Sequence, residues 1–502
     1  MNLQSLQTAS PLLSASLIAL LVAAVFYRYF THYARNPSRL PYPPGPKRRV
    51  FVGNLHDLPR GGNEWLKYRD LSEKYGSDII YLQVLGNSIM AINSVQAAND
   101  LLDKKGAIYS DRPRLVMLKE LMGWEWNLVL MSYGPRFFVH RRIVQQQFLP
   151  SIVAQSCHPV IEKEVRVFLE NLLDTPDNFV HHLKSMAGAI IMMITYGHQV
   201  SPQGDEYVDL AERVRETGVG APGNFLVDSL PVLKYIPEWF PGAAFKRYAR
   251  KGRELSVRMR SAPYSMVKQR IASGTAVPSM VASLLESDLQ TEGIDRHELI
   301  MNCGGVVYSA GADTTVSALT NFFLAMMLYP EVQQKAHEEL DRVFGQDRLP
   351  DIRERSSLPY IDGIVKESLR WQPVSPLGVA HTTTEDDQYR GMYIPKGTTV
   401  IANIWAMLHD EAVYADPARF NPDRYAQGEP DPARAVFGFG RRICPGRHLA
   451  DWSIRERTGI EPQVTHGSGL VSVPSPFKCK IFPRSDKAES IIRAQTVLGG
   501  SS

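Results

Sequence analysis

The chain has 502 residues, of which 44% are hydrophobic and 22% charged, the ordinary composition of a globular protein with ample material for a core. Its formal net charge of +4 at pH 7 is too small, for this length, to indicate a nucleic-acid-binding protein. The four cysteines contain no Cys-x-x-Cys pair, which argues against a disulfide framework and against a structural zinc site. We therefore expect the folded part to face a reducing compartment.

The N-terminal segment 9–30 is predominantly apolar, and the first charged residue of the chain is Arg28. This length predicts a single transmembrane helix. Because Arg28 ends the apolar run, Arg35, Arg39 and Lys47 follow it and no basic residue precedes it, the N-terminus should be luminal and the body cytosolic. A cleaved signal peptide is the alternative, although it would need basic residues before the apolar run and a small-residue cleavage site after it.

The proline-rich segment 36–46 predicts a stiff linker between this anchor and the main domain, 47–484. Residues 50–95 alternate short apolar runs with turn residues, which indicates a small strand-rich region. Helical periodicity then dominates, and the apolar stretch 294–328 predicts a buried central helix. Residues 330–345 predict a further helix, 389–401 predict two strand segments around a Pro-Lys-Gly turn, and the polar tail 485–502 is expected to be disordered.

One cysteine, Cys444, lies in a glycine-shaped loop, 437–446, that leads into a helical pattern. Pro445 suits the first position of that helix, which would place Cys444 at its N-terminus. The helix dipole and free N–H groups would then lower the pKa of the thiol and favour a thiolate. A single thiolate fits an axial ligand of haem iron better than a zinc site.

This loop resembles the haem loop of the cytochrome P-450 family, the haem-thiolate monooxygenases, whose pattern is F-x-x-G-x-R-x-C-x-G. Phe437, Gly440, Arg442, Cys444 and Gly446 fill every fixed position. The resemblance implies a mainly α fold with a small β-rich region and a haem b whose iron is bound by Cys444. It also implies that Phe437 and Arg442 help to bind this cofactor and that electrons come from NADPH through a reductase.

Within the predicted central helix, the stretch 310–315 places small residues, an acid and two hydroxyls where packing would favour larger apolar side chains. Thr314 can hydrogen-bond to the carbonyl of Ala310, and Gly311 leaves room for a group to approach the backbone. The stretch resembles the family's oxygen-binding helix, A-G-x-[DE]-T-[TS]. The resemblance implies that Asp313 and Thr314 are the catalytic pair, Thr314 orienting the oxygen species and Asp313 relaying protons.

Two charged motifs also resemble those of the family. Glu367 and Arg370, with Arg424 of the stretch 420–425, match its Glu/Arg/Arg triad, which implies a folding role; Tyr425 replaces the usual phenylalanine. Arg442, His381 and Arg141 match the positions that bind the haem propionates. Phe137 stands where the family usually has tryptophan, so we expect one propionate hydrogen bond fewer.

An apolar and then basic segment, 233–251, is typical of a membrane interface, although an ordinary packed loop is equally compatible with it. In the family this region lines the substrate entrance. Together with 111–124, 306–310 and 374–379 it would contact the substrate, and the apolar character of these stretches favours a lipophilic molecule.

The resemblance breaks directly after the haem loop, because the helical pattern stops near residue 454 where relatives continue for roughly two dozen residues more. We expect this loss to expose haem and core surface.

The sequence therefore predicts a haem-thiolate monooxygenase of the endoplasmic reticulum membrane, resembling fungal secondary-metabolite members and acting on a terpenoid, polyketide or alkaloid. The alternatives are a haem-thiolate isomerase or peroxide user, and a catalytically impaired or vestigial membrane protein.

Overall fold

Helices make up most of the residues that the structure describes, and strands form only a small part of them. The structure is a computed structural model that describes residues 39–201, 204–217, 225–345, 348–350, 352–453, 471–474 and 477–499, together with residues 19, 22–23, 25–27 and 36. The longer helices are α1 Glu64–Tyr75, α2 Pro135–Gln147, α3 His158–Asp174, α4 Phe179–Tyr196, α5 Glu206–Glu216, α6 Ala244–Ala272, α7 Met280–Glu286, α8 Arg296–Leu328, α9 Pro330–Phe344, α10 Pro359–Trp371, α11 Arg447–Ser453 and α12 Asp486–Gly499.

Short helical turns connect these elements. The α-helical ones are Val95–Ala98, Gly106–Tyr109, Pro150–Ile152, Leu226–Ser229, Ile404–Leu408 and Ala433–Val436. Turns of π type cover Asn99–Lys104, Val116–Leu121 and Val153–Cys157, and turns of 3-10 type cover Pro176–Asn178, Pro231–Tyr235, Ile352–Ser357, Pro422–Tyr425 and Gly440–Arg442.

The 33-residue helix α8 is the central helix that the sequence predicts. It begins where the Asp295 side chain accepts a hydrogen bond from the Glu298 N–H at 2.7 Å, and it ends where Pro330 starts α9. Most of its side chains are buried in the largest hydrophobic cluster, which they share with α4. Gly311 permits the close approach of these two helices, because a Cβ there would lie 2.5 Å from Cδ1 of Ile191. This glycine therefore makes room for α4, and not for a ligand as its position in the sequence suggests.

The strands are β1 Ile79–Val84, β2 Asn87–Ile92, β3 His381–Thr382, β4 Asp387–Tyr389, β5 Met392–Ile394 and β6 Thr399–Ala402. Four of them form one sheet in the order β1-β2-β6-β3, in which β6 runs parallel to β2 with Met90 opposite Val400. Strands β4 and β5 form a separate hairpin. The sheet thereby joins the N-terminal strand-rich region to the segment just after α10.

The proline-rich segment 36–46, predicted to be a linker, packs against the sheet over its C-terminal part. The carbonyl of Pro44 accepts a hydrogen bond from the Tyr81 N–H at 2.8 Å, and Tyr42 stacks on Tyr81 with ring centroids 5.2 Å apart. A Cβ at Gly45 would lie 2.1 Å from the Tyr81 carbonyl oxygen, so only glycine fits this contact. These interactions fix the segment to the domain.

Most of the predicted anchor, 9–30, lies outside the described residues. None of the helices in the described part of the chain combines the length and the apolarity needed to cross a bilayer. The expectation of a disordered tail is wrong for Asp486–Gly499, which form α12 beside α3, with Arg493 and Asp174 3.1 Å apart. Residues 454–470, where the helix after Cys444 was expected to stop, are also outside the described part.

Candidate functional site

The loop that carries Cys444 folds back on itself. The Cys444 N–H donates to the carbonyl of Phe437 at 2.8 Å, and Gly438 and Gly440 adopt left-handed φ angles of 78° and 53°. A Cβ at Gly440 would lie 2.2 Å from the Leu102 carbonyl oxygen, so this glycine lets the loop approach another backbone segment closely. Cys444 itself is half-buried.

Helix α11 begins at Arg447, and not at Pro445 as the sequence predicts. Burial raises the pKa of the Cys444 thiol, and the Gly446 N–H and the charges of Arg141 and Arg447 lower it by less. For the polypeptide by itself, the expected lowering of the Cys444 thiol pKa is therefore wrong. The physical reason is that two residues, Pro445 and Gly446, separate Cys444 from the helix start, so that the thiol's loss of hydration outweighs the helix dipole.

Two arginines at this loop, the buried Arg112 and the half-buried Arg442, donate hydrogen bonds to backbone carbonyls. Arg442 donates to the carbonyls of Ser110 and Met131, both at 2.7 Å, and its guanidinium lies 3.7 Å from the ring centroid of Phe137. Arg112 donates to the carbonyl of Val379 at 2.7 Å. Further acceptors of the same two side chains are the carbonyls of Leu128, Val129 and Ala380.

These cations lie close enough to perturb one another. Burial lowers the pKa of Arg112 well below its ordinary value, and Arg442 lowers it further. Burial also lowers the pKa of Arg442, to about 10, and that of His381, whose Nδ1 lies 2.7 Å from the Tyr109 carbonyl oxygen. The carboxylate of Asp111 acts in the opposite direction and raises the pKa of both arginines. Two guanidiniums with only the Asp111 carboxylate to oppose them favour the binding of an anionic group.

The sequence reasoning missed Arg112. Its signal was an Asp-Arg-Pro triplet, 111–113, inside a stretch that we assigned to substrate contacts, where a charged side chain needs an explanation. Arg141 was predicted as a further cation of the site, and the structure places it directly at the loop, its Nη2 2.6 Å from the Ile443 carbonyl oxygen.

On α8, one unburied stretch interrupts an otherwise buried helix. The residues on either side, 302–308 and 316–327, are buried, whereas none of residues 309–315 is. Thr314 donates to the Ala310 carbonyl at 2.8 Å, and Thr315 donates to the Gly311 carbonyl at 2.9 Å. These side-chain bonds compete with the helix ladder, as the sequence predicts for Thr314.

Asp313 belongs to the same unburied run. The surrounding protein raises the pKa of its carboxyl through desolvation, against the opposing charge of Arg215. A proton relay needs a group that can accept and release a proton, and a carboxyl is such a group.

A family model for cytochrome P-450 matches residues 43–455. The chain belongs to this family. The cytochrome P-450 is similar to monooxygenase 208 of Postia placenta, with 42% identity over 95% of this chain and 96% of the relative. It is also similar to the monooxygenases claR of Ampulloclitocybe clavipes, with 40% identity over 90% of this chain and 88% of the relative, and ple1 of Rhodocybe pseudopiperita, with 39% identity over 90% and 91%. All three are fungal cytochrome P-450 monooxygenases, and this chain is an enzyme of the same class.

One feature of these comparisons bears on the segment after Cys444. The family match ends at residue 455, two residues beyond the end of α11. The shortened segment stays a prediction, with which this end point is consistent.

The residues of this cytochrome P-450 fit a haem b. Cys444 would supply the thiolate ligand that the family uses, and Arg112 and Arg442 would supply cations for the two propionates, with His381 beside them. Phe137 cannot donate the hydrogen bond that an indole would, and its ring instead stacks under Arg442. The arginine is therefore held in place by the aromatic face and by carbonyls.

The predicted triad is brought together away from the loop. Arg370 binds both oxygens of Glu367 at 2.8 Å, and Nε of Arg424 lies 3.1 Å from Oε1. Tyr425, the departure from the family pattern, donates its hydroxyl to Glu367 Oε2 at 2.9 Å, and the Asn421 N–H donates to Oε1 at 2.9 Å. All three charged side chains are at most 1% exposed. The triad thus pins the segment 421–425 to α10.

Proposed function

We propose that this cytochrome P-450 is a membrane-bound haem-thiolate monooxygenase that oxidises a lipophilic small molecule of fungal secondary metabolism, using O2 and electrons from NADPH–cytochrome P-450 reductase. The observation that carries the proposal is the pairing of a half-buried thiol, Cys444, with a buried excess of cations beside it. When bound, a haem with a thiolate ligand supplies oxygen activation and the insertion of one oxygen atom into a C–H bond.

The protein's own residues would hold the haem, orient the reacting oxygen and deliver protons. Arg112, Arg442 and His381 would bind the propionates, and Arg141 would hold the loop that carries Cys444 through the Ile443 carbonyl. Asp313, in the unburied stretch of α8, would accept and release a proton at its carboxyl. Its neighbour Thr314 is the polar group that orients the reacting oxygen, and the intact pair favours reductive oxygen activation over an isomerase or peroxide-using reaction.

Membrane association is supported by exposed apolar side chains on one side of the domain. Phe51 and Val50 are exposed, and the ring of Phe26, from the described end of the anchor region, lies 5.0 Å from that of Phe51. Asn87, the first residue of β2, donates to the Ser229 carbonyl at 3.3 Å, which joins the sheet to the segment with the other exposed apolar side chains. These are Leu226, Val232, Tyr235 and Trp239. We propose a single-pass protein of the endoplasmic reticulum with a cytosolic catalytic domain.

The first experiment is the carbon monoxide difference spectrum of the reduced full chain in membranes. A thiolate-type Soret band is expected from the unsubstituted chain, and its loss is expected in Cys444→Ser. Cys157→Ser, at a buried cysteine elsewhere in the core, is the matched control and should keep the band. If the unsubstituted chain lacked the band while a chimera with residues after Ser453 taken from monooxygenase 208 showed it, the shortened segment would have abolished haem binding and the proposal would fail for this chain.

A further inference from the structure

One buried hydroxyl beside the Cys444 loop has no partner in the part of the protein that the structure describes. Ser110 is 1% exposed, and none of the described residues pairs with its side-chain oxygen. A buried hydroxyl without a hydrogen bond costs free energy, because it has lost its hydration and gained no partner. Such a group needs an explanation, and a bound molecule that accepts its hydrogen is one.

The backbone of Ser110 belongs to the site that fits the haem propionates. Its carbonyl accepts a hydrogen bond from Nε of Arg442 at 2.7 Å, and the carbonyl of the preceding Tyr109 lies 2.7 Å from Nδ1 of His381. Arg112 follows two positions later. Because a serine hydroxyl is only two bonds from Cα, its oxygen lies within about 5 Å of the carbonyl that Arg442 binds. The unpaired hydroxyl therefore lies among the cations of this site.

The two guanidiniums have few hydrogens left for a carboxylate. Within the described residues, Arg112 and Arg442 each donate three hydrogen bonds to backbone carbonyls, so two of the five N–H groups of each remain. Two propionates together have four oxygens, and each oxygen accepts about two hydrogen bonds. Phe137, where relatives usually have a tryptophan, adds no donor. The site therefore has use for one more.

We propose that the Ser110 hydroxyl donates a hydrogen bond to a haem propionate and replaces the donor that Phe137 lacks. Both residues contact the same side chain, because the Arg442 guanidinium lies 3.7 Å from the Phe137 ring centroid and donates to the Ser110 carbonyl. A hydrogen bond from a hydroxyl to a carboxylate is charge-assisted and stronger than one between neutral groups. The inference rests on the proposed function and adds a residue to its cofactor site.

The alternative is that Ser110 is an unpaired core hydroxyl with no part in haem binding. Thr195 on α4 provides the comparison, because it is 0% exposed and its hydroxyl also has no partner among the described residues. Helix α4 supplies none of the carbonyls that bind Arg112 and Arg442. An unpaired core hydroxyl without a ligand predicts the same behaviour for both positions.

The test measures haem retention by the full chain and by two variants that each remove one buried hydroxyl, Ser110→Ala and Thr195→Val. The rate at which ferric haem transfers to excess apomyoglobin should rise roughly tenfold in Ser110→Ala, because a hydrogen bond to a charged group is lost, and should stay unchanged in Thr195→Val. The propionate bending mode in the resonance Raman spectrum, which responds to hydrogen bonds on the propionates, should shift only in Ser110→Ala. An unchanged rate and mode in Ser110→Ala, or equal changes in both variants, would overturn the assignment.

The replacement of the missing indole is tested by Phe137→Trp, which restores the family's usual donor. Added to Ser110→Ala, it should bring the transfer rate back to within about threefold of that of the unsubstituted chain. An increase that persists in this double variant would show that the hydroxyl does not take the place of the indole. If the double variant fails to bind haem, Ser110→Ala and Thr195→Val still decide whether Ser110 binds a propionate.

The reduced carbon monoxide spectrum of each sample is recorded first, which separates a failure of haem binding from a failure of this proposal. If the unsubstituted chain has no thiolate band, the same substitutions and measurements are made in the chimera with residues after Ser453 from monooxygenase 208.

Discussion

Neutralising Glu367 should destabilise the fold far more than neutralising any exposed carboxylate. The side chain accepts five hydrogen bonds, and its exposed fraction is 0%. In Glu367→Gln the shape is kept, but Arg370 loses its counter-charge in a dry environment. Breaking a buried ion pair from one side costs about 3–5 kcal/mol, because the remaining charge stays unpaired. We expect a loss of this size in the free energy of unfolding.

Two milder variants calibrate this effect. Glu429, 16% exposed, binds the other side of Arg424 at 2.7 Å, so Glu429→Gln should cost only about 1 kcal/mol. Tyr425→Phe restores the family's residue and removes one hydrogen bond from Glu367, for about 1 kcal/mol.

The assay is equilibrium urea unfolding in detergent, followed by tryptophan fluorescence, with haem content measured by the carbon monoxide spectrum. Equal losses in Glu367→Gln and Glu429→Gln would refute the reasoning, because burial would then not govern the cost of the lost charge. A loss below about 0.5 kcal/mol in Glu367→Gln would refute it as well, since that is the range of an ordinary surface substitution.

Further predictions concern pH, proton delivery and the membrane. Burial, assisted by the charge of Arg370, lowers the pKa of His409 to about 3, so the unfolded chain binds a proton that the native state does not between about pH 6.5 and 3. The free energy of unfolding should therefore fall as pH drops below about 6.5, by up to about 1.4 kcal/mol per pH unit. The variant His409→Phe keeps the stacking on Trp405 and should show a shallower dependence of this free energy on pH between pH 7 and 5.5, measured by urea unfolding. An identical dependence in both proteins would contradict the lowered pKa of His409. Asp313→Asn should lower NADPH-supported product formation by roughly 100-fold while the substrate's dissociation constant stays within about twofold, and an unchanged rate would exclude a proton relay through this carboxyl. In a protein without the anchor, Trp239→Ser removes a side chain that is 80% exposed and should weaken binding to phosphatidylcholine vesicles in a flotation assay. Val277→Ser, at an exposed valine elsewhere, should leave this binding unchanged. Equal binding by both variants would show that the loop with Trp239 does not touch the membrane.

The shape of the Cys444 loop and the extent of α8 could be predicted from the sequence because both depend on local rules. Glycines at 438 and 440 permit the left-handed angles that the loop adopts, and an apolar run between Asp295 and Pro330 encodes a long buried helix with its own start and stop. Where a local rule competes with burial, it fails: the thiol of Cys444 has a raised pKa because desolvation exceeds the effect of the helix dipole.

The tertiary structure alone decided which distant polar groups meet. Arg112 reaches a carbonyl 267 residues away, and the Pro-rich segment docks on β1, where Gly45 admits the Tyr81 carbonyl. The sequence names the charges of the triad, but only the fold shows that Tyr425 completes the set around Glu367. Sequence patterns report short-range geometry, whereas the burial of charge and the pairing of Ser110 with Arg442 depend on contacts between segments far apart in the chain.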